Sequence, residues 1–243
     1  MLQTLDGTKM YIDKDDSLAL FSNGIYEAYE TFLIKALLKP TDIALDIGAH
    51  IGYFTLLMAQ KCKWVYAFEP EPNNFKLLKS NVKLNKLENI VCYNIAVTES
   101  TGLTKLHLCE SNSGMHRIYK PKWISKTTMV RTIKIDDALT LHGGLKVDFI
   151  KMDIEGSEFG ALKGMEQLLK TNHVIMMMEF HPPTIEEYGA NPREVYDFIK
   201  GLGYDIRLLP KPSIPISFED LDRETRINSG RNVLCLEKEY SPF

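Results

Sequence analysis

Short apolar runs alternate with segments of helical period along most of this chain, and no other feature constrains the fold as much. A run that is apolar at successive positions has to be covered on both faces, as in a parallel sheet. Parallel strands in turn need crossover connections, and the intervening helical segments supply them, so the pattern reads as an α/β fold. Residues 174–180 are apolar at every position except Glu179, as a central strand requires. Residues 44–47, 64–68, 90–97 and 147–152 read as four earlier strands, and 204–209 and 233–236 complete a sheet of seven.

The crossovers carry their own signals. In 71–85, Phe75, Leu78 and Val82 share one face while Lys76, Lys79 and Lys83 share another. Asn191-Pro192, the apolar Val195, Phe198 and Ile199, and then Gly201 predict a helix with an N-cap, an N1 proline and a C′ glycine. An amphipathic helix over 25–38 precedes the first strand, with Tyr26, Tyr29 and Phe32 read as core positions rather than a sugar-stacking platform. Residues 103–135 break the alternation as a small β insertion, in which 103–108 and 130–135 flank a polar loop, 110–126. No repeat or linker divides the chain. One domain over 1–243 is expected, with 1–40 as an N-terminal helical segment.

Composition excludes several classes. Apolar residues make up 44% and charged residues 25% of the 243, far from disordered or low-complexity chains. The net charge of −3 argues against a broad basic surface for nucleic acid. Cys62, Cys92, Cys109 and Cys235 form no CxxC pair, so buried reduced thiols are expected in place of disulfides or zinc. The first residues, Met1 to Gly7, lack a basic stretch followed by an apolar core. The apolar run 174–178 is far short of the ~18 residues that a membrane span needs. A soluble, cytoplasmic protein with no membrane partner is the expectation.

Chemistry enters at Leu45-Asp46-Ile47-Gly48-Ala49-His50-Ile51-Gly52, where an apolar strand meets two glycines and a helix follows. Such glycines permit a tight turn and close approach of backbone amides to a ligand. His50 stands where a dinucleotide fingerprint has its second glycine, the one that admits a pyrophosphate, so NAD and an oxidoreductase are disfavoured. The next strand ends in Ala67-Phe68-Glu69-Pro70, with Glu69 about 20 residues beyond Gly48. An acid at that spacing holds both hydroxyls of a ribose; otherwise Glu69 is a solvated strand-end charge. A ribose without a diphosphate points to a nucleoside joined to something small and cationic. S-adenosylmethionine meets that description, with Asp46 facing its positive end and backbone amides its carboxylate.

Asp-Ile-Gly-Ala-His-Ile-Gly at 46–52, Phe-Glu-Pro at 68–70, Asn94-Ile95-Ala96-Val97 and Ile-Lys-Met-Asp-Ile-Glu-Gly-Ser-Glu at 150–158 together resemble the FkbM-type S-adenosylmethionine-dependent methyltransferases. The resemblance runs from about residue 29 to 180. It implies a Rossmann-like class I methyltransferase fold and methyl transfer to a hydroxyl of a sugar or a natural product. By the same resemblance, Asp46, Gly48, Ala49 and Gly52 match the cofactor loop and Glu69, followed by Pro70, the ribose acid. Asn94 and Ala96 match the adenine contact, and His50 stands where the family often has Asn.

The carboxyl end of the fourth strand is the crevice where open α/β sheets bind ligands. Strand alternation puts Lys151 and Asp153 on one face there, and a Lys so near a central strand needs a partner, which Asp153 supplies. Methylating a hydroxyl requires a positioned acceptor and a route for its proton. Asp153 is the first candidate for that base or positioning acid and Glu155 the second, while Glu158 reads as a helix cap. His181, ending the fifth strand, is a further candidate base. The alternative for the cluster is a helix cap plus a structural ion pair. Nothing in the spacing demands a metal. Glu27 or Glu30 could reach the site from the N-terminal helix. The polar loop 111–116 either approaches the site or is a surface turn. N-methylation and a silent S-adenosylmethionine-binding module remain alternatives to O-methylation of a small hydroxylated substrate.

Overall fold

The alternating runs do assemble into one sheet. In chain order the computed structural model has β1 (Leu2–Gln3), β2 (Lys9–Met10), α1 (Leu20–Asn23), α2 (Ala28–Leu37), β3 (Ile43–Ile47), α3 (Tyr53–Ala59), β4 (Trp64–Phe68), α4 (Pro72–Asn85) and β5 (Ile90–Tyr93). There follow β6 (Ala96–Val97), β7 (Gly102–Leu108), β8 (Lys126–Ile133), α5 (Ile135–Leu141), β9 (Phe149–Met152), α6 (Glu158–Gly164), α7 (Glu166–Thr171) and β10 (Ile175–Phe180). The chain ends with α8 (Pro182–Tyr188), α9 (Pro192–Gly201), β11 (Tyr204–Leu208), α10 (Phe218–Ile227) and β12 (Arg231–Glu237). The structure describes residues 2–4, 7–123, 125–141, 146–228 and 230–238; the limits of the 1–243 span and part of the N-terminal stretch lie outside them.

The seven-stranded sheet runs β11-β12-β10-β9-β3-β4-β5, parallel except for β12, which is antiparallel to both neighbours. Chain order reverses at β3, so the carboxyl ends of β3, β4 and β9 open a crevice at the switch point. Alternation sorts the sheet's side chains into two cores. Leu45, Ile47, Ile150, Met152, Met176 and Met178 pack on the face covered by α6, α7 and α9. Ala44, Phe149 and Met177 pack on the other face with residues of α2 and α3. Asp46 and Lys151 lie directly opposite each other in the β3–β9 register, on that second face by the same alternation. Among the described residues no helix is long and apolar enough to cross a membrane.

Four local readings change. The run 90–97 is two strands: β5 joins the main sheet, while β6 pairs with β8 in a separate three-stranded sheet, β6-β8-β7. Between them Asn94 donates to the carbonyls of Glu69 and Pro70, both at 2.9 Å, and the chain leaves the sheet there. Second, β8 begins at Lys126 and Ile135 already opens α5. Third, Gly201 stays inside α9; Gly203, at φ +94°, is the residue that turns the chain away. Fourth, α2 starts only at Ala28, after Glu27 at φ +39°. Tyr29 and Phe32 of that helix are exposed, 38% and 64%, so they are not core residues.

Candidate active site

The glycine turn is shaped by packing against its neighbours. Gly48 has φ +86°, and a Cβ there would stand 1.9 Å from the Asp153 carbonyl oxygen. Gly52, at φ +95°, abuts Leu78 of α4, whose Cδ1 would be 2.6 Å from a Cβ. The turn's amides are engaged within the protein. Gly48 and Ala49 both donate to the Phe68 carbonyl at 3.0 Å, and Gly52 donates to Ala49. They bind the turn to the end of β4 and so are not held ready for a ligand carboxylate, as the sequence had suggested.

His50 directs its own amide at Glu69 Oε2, 2.8 Å away, and the amide of Glu71 donates to Glu69 Oε1, also at 2.8 Å. One amide per oxygen clamps the carboxylate and leaves each oxygen a further lone pair. Burial pushes Glu69 up to about 7, against the pull of those two bonds. Glu71 N-caps α4, accepting from the Asn74 amide ahead of Pro72. The acid at the end of β4 is therefore a buried, oriented acceptor rather than a solvated charge.

A second cluster forms around Lys151, whose side chain is 2% exposed. Its ammonium lies 3.2 Å from Asp153 Oδ2 and 5.0 Å from the Phe54 ring centre. Asp46 is its register partner on β3 and accepts from the Thr55 hydroxyl. Burial raises Asp46 to about 6 even so. Glu27 faces the same ammonium, and burial raises it too; Glu30 instead accepts from Asn232 at 3.3 Å. A lysine this deep keeps its charge because several carboxylates surround it. Asp46 thus has a cation inside the protein before any ligand arrives.

The insertion reaches this site. Ser113 Oγ lies 2.8 Å from His50 Nε2 and donates to Asp13 Oδ2 at 3.0 Å, while Asn74 Nδ2 holds the Ser113 carbonyl at 2.8 Å. Arg117, buried, bonds Glu187 Oε2 at 2.6 Å and Glu155 Oε2 at 3.5 Å. Tyr119 donates to the Glu155 carbonyl at 2.8 Å. Glu155 has φ +57°, and burial next to Asp153 raises it to about 7 despite Arg117. Glu158 accepts from the amides of Ile154 and Gly156, which closes the turn ahead of α6.

Two adjoining clefts result, enclosing about 550 and 650 Å³ of space that is open to solvent. The first is lined by Glu69, Pro70, Ala96 and Ile118 among others, and the second by Asp46, Ala49, Tyr26 and Lys151. Gly48, His50, Gly114, Asp153 and Glu155 form the wall they share. Three expected residues lie outside both linings. Gly52 is behind the turn, Asn94 is exposed and braces the Glu69–Pro70 backbone, and His181 sits at the start of α8 against Gly230. Sequence reasoning missed Asp13, Ser17 and Glu179. Burial among Asp153, Glu158 and Glu155 raises Glu179 well above the usual carboxylate range. Its signal was there, as the one acid in an otherwise apolar central strand. Asp13 and Ser17 carry no such mark.

Comparison with known proteins bears on the family and the fold. The hexuronic acid methyltransferase AglP of Haloferax volcanii is 25% identical over 206 residues, covering 83% of this chain and 77% of that protein. The 31-O-demethyl-FK506 methyltransferase FkbM of Streptomyces tacrolimicus is 23% identical over 161 residues, covering 53% of this chain and 61% of that one. The crystal structure of the methyltransferase FkbM from Methylobacillus flagellatus superposes with a TM-score of 0.52 at 18% identity, over 82% of this chain and 44% of that one. That superposition shows a shared Rossmann-like fold. Residues 46–206 match the methyltransferase FkbM domain, and the chain belongs to this family of S-adenosylmethionine-dependent methyltransferases.

Proposed function

We propose that this enzyme methylates a hydroxyl of a sugar or other small natural product. The supporting observation is the shared wall: Asp153 stands between a cleft lined by the clamped Glu69 carboxylate and a second cleft lined by Asp46, Tyr26 and Lys151. The names of the two relatives, a hexuronic acid methyltransferase and a 31-O-demethyl-FK506 methyltransferase, favour a hydroxyl acceptor.

S-adenosylmethionine, when bound, supplies an electrophilic methyl group. Glu69 receives the two ribose hydroxyls on the lone pairs its amide clamps leave over. Ala96, with Ile95, Val97 and Pro70, offers an apolar slot for the adenine. Asp153, pinned by Lys151, accepts from a second hydroxyl of the substrate, next to the one methylated, and so aims the reacting oxygen while leaving its own proton free. Holding the reacting oxygen in line is worth orders of magnitude in rate. Glu155, fixed by Arg117 and Tyr119, closes the wall beside it.

The test is a screen of hydroxylated sugars and natural products with a radiolabelled methyl donor, followed by Asp153→Asn on any acceptor found. Turnover should fall by about 10²-fold or more, while S-adenosylhomocysteine affinity changes little. Undiminished turnover, or label appearing only on nitrogen, would overturn the reading.

A further inference from the structure

His50 has two ring nitrogens in unlike surroundings, and hydrogen-bond logic settles which of them carries the proton. Nε2 lies 2.8 Å from Ser113 Oγ. Ser113 has one hydroxyl proton, and its other neighbours are Asp13 Oδ2 at 3.0 Å and Ser17 Oγ at 3.3 Å. A carboxylate only accepts, and Ser17 already gives its own proton to Asp13 Oδ1 at 3.1 Å. Whichever of the two Ser113 serves, its proton points away from His50, so Nε2 must be the N–H that donates to it. Nδ1 is then a bare lone pair. It is buried and has no partner, and its ring forms part of the wall common to both clefts. An unpartnered buried acceptor is costly unless a ligand meets it.

We propose that Asp13 and Ser113 hold His50 in its Nε2–H form so that Nδ1 takes the proton from the group being methylated. This rests on the hydroxyl-methylating reading above and assigns the proton a destination distinct from the orienting Asp153. The acceptor O–H bond breaks with its electron pair staying on oxygen, and an N–H bond forms at Nδ1. The imidazolium keeps its Nε2–H on Ser113, one hydrogen bond from the Asp13 charge, and releases the new proton to water afterwards. Burial lowers His50 to about 4, with Asp13 and Asp153 pulling upward and His116 downward, so the ring is neutral and ready at ordinary pH. A hydroxyl oxygen gaining a methyl group becomes strongly acidic, and a weak base then suffices. His50 is the catalytic residue here, and Ser113 and Asp13 are positioning residues.

Nitrogen-15 spectra of the histidine side chains in the full chain test the relay without turnover. His50 signals, identified by their loss in His50→Asn, should show the proton on Nε2. Ser113→Ala should mix the tautomers and Ser113→Thr should restore the single form. A proton on Nδ1, or a Ser113→Ala spectrum like that of the parent, would overturn the relay. The second arm is single-turnover methylation of an acceptor found by the screen. Asn tolerates the φ of +50° at this position and accepts a hydrogen bond, but it cannot take a proton. His50→Asn should slow the reaction by about 10²-fold or more, with S-adenosylhomocysteine affinity within about three-fold. A rate within three-fold of the parent would refute the assignment. Should no hydroxyl acceptor be methylated, the proposed function fails, and the tautomer spectra still decide the relay.

Discussion

Gly48 and Asp153 are in backbone contact, since a Cβ at position 48 would stand 1.9 Å from the Asp153 carbonyl oxygen. The end of β3 and the end of β9, neighbours in the sheet, can approach this closely only where the first has no side chain. The contact sets the distance between the turn beneath the first cleft and the carboxylate in its wall.

Gly48→Ala therefore has two costs. The left-handed φ of +86° disfavours alanine, and the obstructing atom is backbone that cannot rotate aside. Together these should destabilise the protein by about 3 kcal/mol or more. Urea unfolding measures it. A variant with the parent's midpoint would show that the ends of β3 and β9 are not in fixed contact.

Glu69 predicts a pH dependence of cofactor affinity. Burial holds it at about 7 in the free protein, so near pH 6 most molecules carry the protonated acid. Only the carboxylate can accept from both ribose hydroxyls, so S-adenosylhomocysteine should bind more tightly as pH rises from about 6 to 8. Glu69→Gln should bind more weakly throughout and lose that slope. Calorimetric titration at several pH values decides, and a flat profile in the parent would count against Glu69 as the ribose acid.

The strands, their order of appearance, Glu69 and the Lys151–Asp153 pair were legible because each depends on periodicity or on residues close in sequence. What the turn's amides do was not. Gly48 and Ala49 donate to Phe68, and which acceptor an amide finds depends on how β4 packs beside β3. The Asp13–Ser113 bond joins residues 100 positions apart in segments with no shared pattern, so only the folded chain reveals it. The split of 90–97 was hidden for a related reason. Its composition is that of a continuous strand, and the break comes from Asn94 bonding to the neighbouring turn.

Arg117 joins the insertion to the site. Removing a buried guanidinium leaves Glu187 and Glu155 without the cation they share. Arg117→Met should cost about 3 kcal/mol, the usual penalty for breaking a buried pair from one side. Adding Glu187→Met should recover part of the loss, because the stranded charge goes with it. A double-mutant cycle in urea reports both values. A single-variant cost below about 1 kcal/mol would mean that the pair is effectively solvent-screened.

Asn94 gives the most selective prediction. Its side chain is exposed and touches neither cleft, yet its Nδ2 bonds the carbonyls of Glu69 and Pro70 at 2.9 Å each. Those bonds fix the backbone from which Glu69, the proposed ribose acid, projects. Asn94→Ala removes a donor from one exposed acceptor and one part-buried acceptor, so global stability should fall by about 1 kcal/mol. The loss should instead appear in binding, where a loosened Glu69 must be reordered by the ligand, and a few-fold weaker S-adenosylhomocysteine affinity is expected. Asn94→Asp keeps the shape but replaces the donor by a charge facing two carbonyls, and should weaken binding further. If Asn94 contacted adenine directly, as the resemblance implies, Asn94→Ala would weaken adenosine and S-adenosylhomocysteine alike but leave 5′-deoxy-ribose analogues lacking the base unaffected. Under the bracing role, the base-free analogues lose affinity as well, and titrating both kinds of ligand separates the two.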